Sequence, residues 1–127
     1  MGNIKLTYLY RDAGNYKTWR SVVFDNPRRL ALEEVKNYLA THFLPERTFV
    51  ANQIGLPESF FEDTSNDDHC LHELHSVEST NDEPTDALNR GIHEFLCDVK
   101  TAADDGWSGF SIDIAGMRIP FKFERSL

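Results

Sequence analysis

Between Arg47 and Arg90 the sequence contains no lysine or arginine. That gap argues against recognition of a phosphate backbone, because nucleic-acid binding requires cations that displace counterions. Cysteine is scarce as well. Cys70 and Cys97 are the only two in 127 residues, too few for a disulfide framework, and in a cytoplasmic protein both are expected as thiols. No run of about 18 apolar residues occurs, so no membrane-spanning helix is expected. The opening MGNIKLTYLYRD lacks the cationic, apolar and small-residue regions of a secretory signal. Gly2-Asn3-Ile4-Lys5-Leu6 lacks the hydroxyl residue of a myristoylation signal. The chain is therefore expected in the cytoplasm. Phosphate loops of the G-x-x-x-x-G-K type, G-x-G-x-x-G turns and the G-x-S-x-G nucleophile elbow are all missing, which removes the sequence-specific signs of nucleotide binding and serine hydrolysis.

Apolar residues make up 40% of the chain and aromatics 12%, with nine phenylalanines. This composition supports a packed core rather than disorder, and the length fits a single domain over residues 1–127. Acidic residues number 21 against 13 basic, for a net charge of −8. Ten of the carboxylates fall in the cation-free interval: Glu58, Glu62, Asp63, Asp67, Asp68, Glu73, Glu78, Asp82, Glu83 and Asp86. The remainder carries 13 − 11 = +2. A field distributed this way favours a basic protein partner or a metal cation. Direct nucleic-acid binding is not expected.

Residues 4–10, IKLTYLY, alternate apolar and polar positions as a strand does, and YKTWRSVVF (16–24) returns after a turn through Gly14 and Asn15. Pro27 ends that second strand. LALEEVKNYLATHF (30–43) places Leu32, Val35, Leu39 and Phe43 on one helical stripe, and Pro45 stops it. RTFVANQI (47–54) reads as a short third strand. PESFFEDTSND is loop, with Phe60 and Phe61 as its anchors, and HSVEST continues as a fourth strand. NDEPTD (81–86) reads as a helix start, leading into a helix to about Ala103 with Leu88, Ile92, Phe95, Leu96 and Val99 on its buried face. SGFSIDIAGMRIPFKF alternates again, as a terminal hairpin or one bent strand. The expected fold is α+β: a mostly antiparallel sheet of five or six strands with two helices on one face, in the order β-β-α-β-β-α-β(β). Trp19 and Trp107 are expected in the core or at its edge.

DDHCLHELHS (67–76) concentrates three histidines, a cysteine and three carboxylates. Read as a strand, it puts Asp68, Cys70, His72 and Leu74 on one face and His69, Leu71, Glu73 and His75 on the other. It contains no H-E-x-x-H pair. On the second helix His93 and Cys97 lie one turn apart on the side away from the apolar stripe. Cys70, His72, His93 and Cys97 could together ligate zinc, but without a C-x-x-C anchor a polar strand and a surface pair are the favoured reading. His72 beside Glu73 and Asp68 offers a general base with a carboxylate to orient it, yet no nucleophile accompanies it. D-T-S-N-D-D (63–68) lacks the glycine and terminal glutamate of a calcium loop. The acidic interval, with Glu62, Asp63, Asp67, Asp68 and Glu73 at its centre, could instead recognise a basic protein.

LTYLYRDAGNYKTW (6–19) and DDHCLHELHS (67–76) resemble segments of a family of small uncharacterised bacterial proteins. The resemblance implies a bacterial or phage cytoplasmic origin and carries over no activity, ligand or catalytic residue. The sequence thus points first to a non-catalytic interaction or accessory protein without a cofactor, second to a zinc-binding protein, and third to a hydrolase-like enzyme.

Overall fold

A computed structural model describes residues 2–11, 15–58, 71–112 and 118–122, with side chains described as far as residue 108. Strands β1 (Asn3–Arg11) and β2 (Lys17–Phe24) form an antiparallel pair, with Ile4 opposite Phe24 and Arg11 opposite Lys17. Alternation along β1 sends Ile4, Leu6 and Tyr8 into the core and leaves Lys5 and Thr7 half-buried on the other face. Asn15 closes the turn with φ 67°, a conformation that asparagine tolerates. Gly14 lies outside the described residues.

Helix α1 (Leu32–His42) buries Val35 and Leu39, and Leu32 and Tyr38 pack against the core from its flanks. It begins two residues later than the sequence pattern indicates, because Asn26 brackets Leu30 in the preceding turn. Asn26 Nδ2 donates to the Leu30 carbonyl at 3.0 Å, and its Oδ1 accepts from the Leu30 amide at 2.9 Å. Phe43 caps the helix through its amide to the Leu39 carbonyl. A tight turn at Pro45–Arg47 follows, in which Glu46 and Arg47 adopt φ of 62° and 59°. Strand β3 (Thr48–Phe49) is only two residues long. The rest of the stretch read as a third strand coils into a 3-10 turn at Ala51–Ile54, closed by Gly55 at φ 72°.

Strand β4 (His72–Thr80) pairs antiparallel with β1, with a register shift between Thr7 and Tyr8. Helix α2 (Ile92–Asp105) supplies Ile92, Phe95, Leu96, Val99 and Ala102 to the same core. Among the described residues, strands β5 (Ser108–Ile112) and β6 (Arg118–Lys122) pair only with each other.

The α+β class with an antiparallel sheet and two helices is as expected, but the sheet is not. It has four strands in the order β2-β1-β4-β3, and β5-β6 forms a separate two-stranded sheet. Anchors just ahead of β5 divert it. Trp107 is fully buried and its indole donates to the His42 carbonyl at the end of α1 at 2.9 Å. The Ser108 amide donates to Gln53 Oε1 at 2.8 Å. Together they fix the chain beside the end of α1 and the 51–54 turn rather than along a sheet edge.

The start of α2 also differs. The helix begins at Ile92, and residues 81–90 run as loop and turn. Thr85 is bound to β2 instead: its amide donates to the Val23 carbonyl and its hydroxyl accepts from the Val23 amide, each at 2.9 Å. Asn89 at φ 55° breaks the helical path. Leu88, expected on the buried face, is 58% exposed.

Candidate interaction face

The sheet has one face on the core, and on the other exposed side chains alternate with Leu9 and Val23, which are themselves buried. Rows across the outward face follow from the ladder: Trp19 opposite Leu9 opposite Glu73, then Ser21 opposite Thr7 opposite Ser76, then Val23 opposite Lys5 opposite Glu78. Trp19 stands on this face half exposed. Its ring meets His75 edge-on, with centroids 4.8 Å apart and planes at 87°. The alternation of β2 carried the signal, since Trp19 shares its side with Lys17 and Ser21 while Val22 and Phe24 fill the core. The sequence pattern places Trp19, like Trp107, in the core or at its edge. The structure puts it on the outer surface, and only Trp107 is in the core.

Glu73 lies on the outer face and is held there by Arg11. The guanidinium donates to both carboxylate oxygens, at 3.3 and 3.2 Å. Asp86 is removed from the surface altogether. It sits buried against Arg90, which donates through its main-chain amide, Nε and Nη2 at 2.9, 2.9 and 3.0 Å. Burial would raise the Asp86 pKa, but hydrogen bonds from Arg90 and its charge outweigh that and hold the carboxyl below its ordinary value. Arg90 in turn donates to the Ile54 and Gly55 carbonyls and to Asp98, and its guanidinium lies over the rings of Phe24 and Phe95. Thus Arg11 and Arg90 take up two of the ten carboxylates in the cation-free interval.

Glu78, Asp82 and Glu83 remain exposed. Glu78 accepts from the Ser76 hydroxyl at 3.1 Å. The backbone of Asp82 is tied at both ends, its amide to Thr80 Oγ1 at 3.1 Å and its carbonyl to Asn3 Nδ2 at 2.8 Å. Three carboxylates therefore project from an ordered strand end and loop. Glu62, Asp63, Asp67 and Asp68, the other members of the expected acidic centre, lie outside the described residues.

The histidines divide. His72 is fully buried on the core side of β4, among the rings of Tyr8, Tyr10 and Phe49 at centroid distances of 5.9, 5.2 and 6.1 Å. It is not the exposed polar-strand residue that the favoured reading assumed. Glu73 points to the opposite face and binds Arg11, so the two do not form the expected acid/base pair; Asp68 is outside the described residues. His93 and Cys97 do come together on the outer side of α2, with Nε2 and Sγ 3.7 Å apart. Cys70, the other cysteine of the expected zinc set, is outside the described residues. Among the described residues no three His, Cys, Asp or Glu side chains gather to hold a metal ion. No described helix is long and apolar enough to cross a membrane.

Comparison with protein-family models, with curated proteins and with solved structures finds no match for this chain.

Proposed function

We propose that this chain is a non-catalytic interaction protein that receives a basic segment of another protein on the outer face of its sheet. The observation carrying this reading is the half-exposed Trp19 on the outer face, with Glu78 two rows further along that face, opposite Lys5, and Asp82 and Glu83 exposed on the loop that follows β4. An aromatic ring on a face that ends in fixed charges gives a partner one apolar anchor and several steering contacts, the first governing dissociation and the second association. Among the described residues, the Arg11 and Arg90 pairs withdraw Glu73 and Asp86 and leave the exposed carboxylates at the end of β4 and in the loop after it.

The test uses immobilised full-length protein and identification of what it retains from cell extract. The same partner should be retained by wild type and lost from a Glu78→Gln/Asp82→Asn/Glu83→Gln variant and from Trp19→Ala. It should also be released by salt near 0.5 M, where the screening length falls to about 4 Å. A partner held equally well by both variants and in high salt would refute the reading.

A zinc-binding role is the second reading, supported by the His93–Cys97 approach at 3.7 Å and requiring further ligands such as Cys70. Stoichiometric zinc in untagged protein, lost together with thermal stability in Cys97→Ser, would establish it. Metal-free protein whose melting is unchanged by chelator would dismiss it.

A further inference from the structure

We draw no further inference here: the strongest candidate, the cavity of about 560 Å³ at the N-terminus of α1, lined by Asn3, Asp25, Arg29 and Ser79, carries nothing because it rests on a helix end and one exposed arginine, and no second feature among the described residues shows what it would hold.

Discussion

Arg90 joins four parts of the molecule through one guanidinium. It holds Asp86 in the 81–90 loop, the carbonyls of Ile54 and Gly55, Asp98 on α2, and the faces of Phe24 and Phe95. Both members of the Arg90–Asp86 pair are buried, with side chains 8% and 2% exposed. Removing one member leaves the other charged and desolvated, which costs about 3–5 kcal/mol in comparable buried pairs. Arg90→Ala and Asp86→Ala should each lower the denaturation free energy by about that much, and Arg90→Lys should recover only part of it, because lysine lacks the planar fork. The sign with pH follows from the lowered Asp86 pKa. Its stabilisation is present above the unfolded-state pKa near 4 and declines as pH falls through the lower folded value. Urea denaturation from about pH 7 to 2 should therefore show the gap between wild type and Asp86→Asn closing below about pH 4. A constant gap would assign the contribution to packing instead of charge.

Among the elements, the start of α2 shows how tertiary contacts override a capping pattern. Pro84, Thr85 and Asp86 have the residue types that open helices, but Thr85 is bound to β2 and Asp86 is committed to Arg90. The helix waits until Gly91, whose amide donates to Glu94 Oε1 at 3.0 Å while the Ile92 amide donates to the Asp25 carbonyl at 2.8 Å. A Cβ at 91 would stand 2.5 Å from Asp25 Oδ1 and 2.8 Å from Glu94 Oε1. Both atoms are ends of exposed side chains that can swing aside, so Gly91→Ala should cost only about 0.5–1 kcal/mol, the worth of the Glu94 bond to the 91 amide that it disturbs. Equal melting temperatures for the two proteins would contradict this.

Alternation identified β1, β2 and β4 and the sidedness of His72 and Glu73, because a half-buried strand writes its two faces into successive residues. The four-plus-two division of strands depends on Trp107 reaching the His42 carbonyl and Ser108 reaching Gln53, contacts between residues more than 50 positions apart. Likewise, the neutralisation of Glu73 by Arg11 spans 62 positions, so no local pattern could have removed that carboxylate from the acidic centre. The burial of His72 was missed because a histidine between charged neighbours reads as polar surface, while here Tyr8, Tyr10 and Phe49 enclose it.

At the scale of the whole molecule, a net charge of −8 means that the surface carboxylates repel one another, and self-repulsion opposes the compact state. Glu78, Asp82 and Glu83 lie within six residues, exposed and close in sequence to one another. If they serve a partner rather than the fold, neutralising them should separate binding from stability. The Glu78→Gln/Asp82→Asn/Glu83→Gln variant is expected to melt at or slightly above the wild-type temperature at low ionic strength, gaining on the order of 0.5 kcal/mol, as is usual for exposed charges. That gain should shrink as salt approaches 0.15 M, where the screening length is about 8 Å. The backbone bonds of Asp82 to Thr80 and Asn3 do not involve its carboxylate, so Asp82→Asn leaves the loop anchored. A melting temperature several degrees below wild type would mean that these carboxylates hold the structure together. Unchanged or raised stability with loss of the partner would leave recognition as the reason the chain keeps three like charges side by side.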